Sequence, residues 1–368
     1  MAASITETPT APTAAVIASP PARKRLPAWA GKTLRVLLPL LLALIVGGLI
    51  LASLGKDPLA YYGYVVKRGL LSWTGLQASI TRTAPLLLIA AGLIVAFRAG
   101  LWNLGVDGQF LLAAVCVAAL APALTGTLPA WQVITLSLLL AAVVAAAWSL
   151  IPAYLKALHG INEIISTLMM SFLGISLANV LVKIPFNDPT TTVPQTATLA
   201  VADRLPRIAD TTIHWGVPLA LGAVIAVHYL MEKTALGLRL QIVGSNPKAA
   251  LHAGLNVKRL TFIAFALSAG LAGVAGAVDV LGVYGTVQAN WNPAYGILVI
   301  PLVFLAGFNG FAVIALVFFF AVLMIGGESA ARRLGVPHFF VLILVALLLL
   351  FLAVTEILDK RLRAQDEE

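Results

Sequence analysis

Charge is scarce in this sequence: Asp, Glu, Lys and Arg make up 11% of its 368 residues, against about 25% in an ordinary soluble domain. So few charges cannot cover a water-exposed surface, and with 60% hydrophobic residues the chain reads as one membrane-embedded body, not a soluble enzyme of several globular domains. The same apolar excess excludes disorder for most of its length. Cysteine is almost absent, Cys116 standing alone, which excludes a disulfide scaffold. Histidines His159, His214, His228, His252 and His338 lie far apart, without the close pairs of a metal-binding helix. Gly31-Lys32-Thr33 ends like a phosphate-binding loop, but the glycine required five residues before Gly31 is Leu26, so ATP hydrolysis is not expected of this chain. No residue is assigned a catalytic or metal-binding role.

What is present is a series of apolar runs. They fall at about 34–54, 83–97, 108–121, 131–155, 164–182, 215–231, 260–283, 296–307, 311–326 and 337–357, and a span needs about 20 apolar residues. The expectation is an all-α, polytopic membrane protein of about ten transmembrane helices with both termini cytoplasmic. Residues 1–33 are expected to form a disordered cytoplasmic tail, 34–358 the transmembrane domain and 359–368 a cytoplasmic C-terminal tail. The run at 34–54 is too long for a signal-peptide core and is kept as a span. With this alternation, 15 of the 24 Lys and Arg fall inside and nine outside, the bias that orients membrane proteins. The net charge of +9 is thereby explained by topology and anionic headgroups, without nucleic acid as a partner.

Between Gly55 and Thr81, Tyr61, Tyr62, Tyr64 and Trp73 alternate with cations, a pattern that suits a segment lying on the outer membrane surface. Two hydrophilic loops follow from the alternation: 183–214 outside and 232–258 inside, the latter partly helical.

Polar residues at membrane depth are costly and face a cavity or another helix. Asn103, Asp107 and Gln109 form one cluster with helix-interrupting glycines at 100, 105 and 108. Interrupted helices expose backbone dipoles to a passing solute, and Asp107 equally suits a cap on its own helix. A second cluster is Asn162, Glu163, Ser166 and Thr167, the last three on one helical face, with Asn162 also suited to an N-cap. Asn103, Asp107, Gln109, Asn162, Ser166 and Asn290 are the candidate lining residues of a solute pathway. Trp291 suits either stacking on a solute ring or an interface position. Ala269, Gly273 and Ala277 recur at helical spacing that lets two backbones approach, within the bundle or across a dimer. Asp279 is the best titratable candidate for the rival reading, an ion- or proton-coupled secondary transporter.

Four segments occur in a familiar order: Asn103-Leu104-Gly105-Val106-Asp107-Gly108-Gln109, Asn162-Glu163-Ile164-Ile165-Ser166-Thr167-Leu168-Met169, Gly244-Ser245-Asn246-Pro247-Lys248-Ala249-Ala250 with Gly254, and the small-residue run Leu267 to Ala277. From about Leu34 to Leu358 the chain resembles permeases of the ABC importers for branched-chain amino acids, simple sugars and nucleosides, nearest to the nucleoside or simple-sugar branch. That family usually has Glu where this chain has Asp107 and Asn where it has Ser171, and Pro301 with Val303 and Phe304 is bulkier than its pattern.

The resemblance implies a bacterial-type inner-membrane location and a second permease subunit. It further implies a cytoplasmic ATP-binding-cassette ATPase that uses ATP and Mg, and an extracytoplasmic solute-binding protein. No cofactor is expected in this chain. The resemblance also implies that Gly244, Asn246, Pro247, Ala249, Ala250 and Gly254 belong to a coupling helix docking on the ATPase, with Pro247 in a first helical turn and Ala249 and Ala250 forming a small contact face.

Overall fold

Within hydrocarbon each backbone N–H and C=O must be satisfied by its own segment, which leaves apolar runs of this length no stable form but the helix. The computed structural model of the chain describes residues 28–337 and 339–367, with side chains over 37–337 and 339–355. The segment 1–27, including Arg23, Lys24 and Arg25, lies outside the described residues, as do His338 and Glu368. The described residues form thirteen α-helices and no strand, only isolated bridges.

In chain order the helices are α1 (Ala28–Ser53), α2 (Pro58–Val66), α3 (Trp73–Arg98), α4 (Val106–Leu124), α5 (Ala130–His159), α6 (Glu163–Lys183), α7 (Gly216–Lys233), α8 (Ala235–Ser245), α9 (Pro247–His252), α10 (Val257–Asp279), α11 (Tyr295–Leu305), α12 (Gly310–Leu334) and α13 (Phe340–Glu367). π-helical turns at Lys67–Leu71 and Val280–Tyr284 follow α2 and α10. Local chemistry sets several ends. Ser72, Asn162, Thr234, Asn246, Asn256 and Asn309 accept from amides of the helices they precede, and left-handed Gly160 and Gly335 close α5 and α12.

Each of the ten apolar runs lies on a helix. Among the described residues six segments are long and apolar enough to cross a membrane: α3, α4, α5, α6, α12, and α10 extended through its π turn to Tyr284. Helices α7 and α8 form a pair bent by 73° at Thr234. The remaining three runs give shorter apolar helices at Leu37–Ser53, Tyr295–Leu305 and Phe340–Thr355. At 1.5 Å per residue α11 rises only about 16 Å, half a bilayer core, so the run at 296–307 is a half-helix.

Helix α3 is central: its apolar window is 83% buried, that of α5 only 22%. Leu139, Val143 and Leu150 on α5 and Ile165, Phe172 and Leu173 on α6 face outward. The small residues of α10 work inside the bundle, because a Cβ on Gly273 would stand 2.2 Å from the Ala141 carbonyl oxygen of α5.

One expectation changes. The segment 55–81 does not lie flat on the surface. Tyr61 and Val65 are buried, Tyr61 packs edge-on to Phe340, and Tyr62 donates to the Leu44 carbonyl. Glycines make this approach possible: Gly69 faces the Val322 backbone, and Gly326 faces that of Val65. The segment 232–258 carries helix, as expected, with α8 and α9 occupying Ala235–Ser245 and Pro247–His252.

The loop 183–214 is pinned to the chain beyond α10. Thr196 and Leu199 donate backbone N–H to Val287 and Gly285, and Ala289 donates to Pro194. His214 is buried at its end, its Nδ1 accepting from the Gly216 amide at 3.1 Å.

Candidate functional site

The irregular stretch Gly285–Ala294 joins the π turn after α10 to the half-helix α11. Three of its residues, Gly285, Asn290 and Ala294, have φ of 72°, 64° and 53°. Left-handed backbone at two non-glycine positions persists only where the surroundings hold it in place, and such strain concentrates at functional sites.

Asp107 supplies part of that hold. Its own helix α4 starts at Gly105 without a side-chain cap. Its carboxylate instead crosses to α11, where Oδ1 accepts the Gly296 amide at 2.6 Å and the Ile297 amide is a further donor. A buried carboxylate thus satisfies free amides in the first turn of a different helix, at its positive dipole end. Of the two roles open to Asp107 in the sequence, capping is the one seen, but on α11.

Asn103 and Gln109 are fully buried and pair amide to amide, Asn103 Nδ2 donating to Gln109 Oε1 at 3.0 Å and Gln109 Nε2 to Asn103 Oδ1 at 3.1 Å. Asn103 also donates to Ser268 on α10 and accepts from the Gly105 amide. This closed network fixes the turn between α3 and α4.

Asn162 is exposed and N-caps α6, accepting from the Ile164 amide at 2.9 Å. Glu163 meets Lys156 at 2.7 Å. Ser166 is buried and its hydroxyl lies 3.3 Å from the Glu163 carbonyl; Thr167 bonds the same carbonyl and accepts from Leu104. Asn290 is exposed and donates its amide to Asn179 at 2.6 Å. Trp291 packs against Phe110 and Tyr284. The candidate lining residues therefore do not converge on one chamber: Asp107, Asn290 and Trp291 lie around the broken helix, Asn103 and Gln109 in the α3–α4 turn, Asn162 and Ser166 at the start of α6.

Sequence reasoning missed the ionic group beside the broken helix. Arg82 of α3 donates to Tyr295, and to Tyr284 at 3.3 Å, with Asp279 as its charge partner. Tyr295 in turn bonds Asp279, whose Oδ2 is buried without a partner. The available signal was position: Arg82 is ten residues into an apolar helix, where a charge demands a partner. Asp279 thus faces both the Arg82 charge and the Tyr295 hydroxyl while one of its oxygens stays unpaired.

At the opposite end of the bundle, Gly100 and Gly244 bring the end of α3 against α8, the Cβ position of Gly244 lying 2.3 Å from the Arg98 carbonyl oxygen. Arg98 pairs with Glu232 at 2.5 Å. Asn246 N-caps α9 with a 3.0 Å bond from Ala249, Pro247 opens its first turn, and Gly254, at φ 78°, ends the turn after it. Ala250 differs from expectation: it is fully buried, one residue round the helix from exposed Ala249 and Leu251. The outward face of α9 is Pro247, Lys248, Ala249 and Leu251.

Central apolar helices, a broken half-helix with strained backbone and an internally compensated polar network define a multi-spanning membrane permease. The chain belongs to the family described as the branched-chain amino acid transport system permease component, which matches residues 75–352. It is 35% identical to the glucose ABC transporter permease TsgB13 of Haloferax volcanii over 91% of this chain and 90% of the relative. It is 29% identical to the guanosine ABC transporter permease NupP of Bacillus subtilis, over 88% and 94%. It is also 25% identical to the nucleoside ABC transporter permease NupB of Lactococcus lactis subsp. cremoris, over 89% and 93%. This protein is a permease subunit of an ABC importer.

Proposed function

We propose that the chain moves a nucleoside or a simple sugar inward as a non-catalytic subunit. The solute arrives from an extracytoplasmic binding protein, the chain pairs with a second permease subunit, and ATP is hydrolysed by separate cytoplasmic ATPases. In this reading the chain crosses a bacterial-type inner membrane ten times with both termini cytoplasmic, α11 completing its crossing through the irregular stretch before it. One observation carries it: nearly the whole chain aligns with transporters named for glucose, guanosine and nucleosides.

Mechanically, α9 offers a short exposed face directly after the bent pair α7–α8, a shape through which closure of an ATPase would move the bundle. The path needs only weak solute contacts, since a tight internal site would oppose release, and a ligand shifts a switch only by its differential affinity for the two states. Asn290 and Trp291 are the candidate contacts beside the broken helix.

The test co-expresses the tagged chain with its neighbouring ATPase and binding protein, recovers the complex, and measures ATP-dependent uptake of radiolabelled guanosine and glucose in vesicles. Wild type should retain the ATPase and take up one solute class. Ala249→Glu, on the exposed face, should lose the ATPase while the permease still reaches the membrane. Absence of ATPase from wild type, or uptake that ignores ATP, overturns the proposal.

A further inference from the structure

The residues that flank the irregular stretch on both sides share one cation. Asp279 ends α10, Tyr284 ends the π turn and Tyr295 opens α11, and all three interact with Arg82. One guanidinium on the most buried span therefore brackets the ten residues 285–294, including the strained Asn290 and Ala294. Ring contacts tighten the bracket, Tyr284 against Trp291 and Tyr295 against Phe110.

The bonding is incomplete in an informative way. Arg82 donates from Nη1 to both phenols, while Asp279 keeps one buried oxygen with no partner. A buried carboxylate oxygen left idle beside a guanidinium is an acceptor in reserve. A displacement of α11 that withdraws Tyr295 would let Arg82 close onto Asp279, so two bonded arrangements are available to the same four side chains.

We propose, resting on the transport reading above, that Arg82 is a positioning residue for the transport step. It exchanges its tyrosine partners for Asp279 as the half-helix α11 moves, and so sets the two positions between which α11 switches. A static ion pair would need only mutual neutralisation. The exchange needs the charges themselves.

Double substitution separates these roles. Breaking one partner of a buried pair destabilises strongly, whereas neutralising both together is often tolerated. The complex of permease and ATPase is placed in lipid nanodiscs, and thermal stability, ATPase retention and steady-state ATP turnover are measured for wild type, Arg82→Gln, Asp279→Asn and the double variant. The expected result is a loss of stability and at least tenfold slower turnover in Arg82→Gln. The double variant should recover wild-type stability with turnover still at least tenfold down. Tyr295→Phe, which keeps the ring and the fold, should slow turnover at least threefold. Turnover that recovers together with stability in the double variant reduces the cluster to a structural pair and overturns the proposal, as does wild-type turnover in Tyr295→Phe. Failure of the transport reading is distinct, because wild type itself would then retain no ATPase.

Discussion

Asp107 holds the half-helix α11 from another helix, and its removal has a calculable cost. Its carboxylate accepts the Gly296 amide at 2.6 Å in a buried setting, with the Ile297 amide as a second donor. Asp107→Ala leaves two amides in α11's first turn without an acceptor and removes the charge facing the helix dipole. A buried unsatisfied group costs about 1–3 kcal/mol and an N-cap deletion about 0.5–2 kcal/mol, overlapping terms that together give about 2–4 kcal/mol. Asp107→Asn keeps one carbonyl acceptor and should cost about 1 kcal/mol. Gly296 supplies an internal check, because a Cβ there would lie 2.9 Å from Asp107 Oδ1. Gly296→Ala alone must push the carboxylate aside; once the carboxylate is gone, the added methyl has room. The two changes should be non-additive by at least 0.5 kcal/mol, the double variant being more stable than the summed losses imply. Denaturant titration of the purified chain in detergent, followed by tryptophan fluorescence, reads all four species. Asp107→Ala within 0.5 kcal/mol of wild type, or strict additivity with Gly296→Ala, would refute the cap.

Two further outcomes follow from geometry outside that site. Burial, and secondarily the Arg207 charge, push the His214 pKa down to about 4, so between about pH 4 and 6.5 the unfolded chain binds a proton that the folded chain refuses. Stability should fall as pH drops through this window, by up to about 1.4 kcal/mol per pH unit, and His214→Asn, which can still accept from the Gly216 amide, should flatten that part of a pH–stability profile. A Cβ on Gly108 would stand 2.6 Å from the Ser171 carbonyl oxygen, whereas one on Gly222 meets nothing within 4 Å. Gly108→Ala should therefore cost about 1–3 kcal/mol by forcing α4 from α6, and Gly222→Ala should be neutral or slightly stabilising, as read by melting in detergent.

Composition and run length made the helices legible, because a run of about twenty apolar residues has one stable form in lipid. Asn162 was legible as a cap for the same local reason. What failed to show locally was anything decided by a distant partner. Asp107 looked like a cap on its own helix because the positions are adjacent, but its amide partner is 189 residues away. The segment 55–81 carried the aromatic and cationic residues of an interface, and the glycines that admit it into the bundle, Gly69 and Gly326, signify little until they are placed face to face. Ala249 and Ala250 look alike in a sequence, yet a helix turns about 100° per residue, so one faces out and the other in.

The fold also places two different kinds of contact at the two ends of α3. Helix α3 carries both Arg82 at the broken helix and Arg98 at the opposite end, where Gly100 and Gly244 bring it against α8. At that contact the backbones are too close to slide independently, so in the proposed cycle a displacement of α8 would be passed to α3. Sixteen residues away, about 24 Å along the helix, the same shift meets a different kind of contact: a guanidinium among two phenols and a carboxylate with an idle oxygen. Hydrogen bonds of that sort can be remade with another partner, while a glycine-to-backbone contact can only hold or break. Stiff packing at one end and exchangeable bonding at the other is what a helix needs if it is to carry a displacement and convert it into a change of bonding around α11.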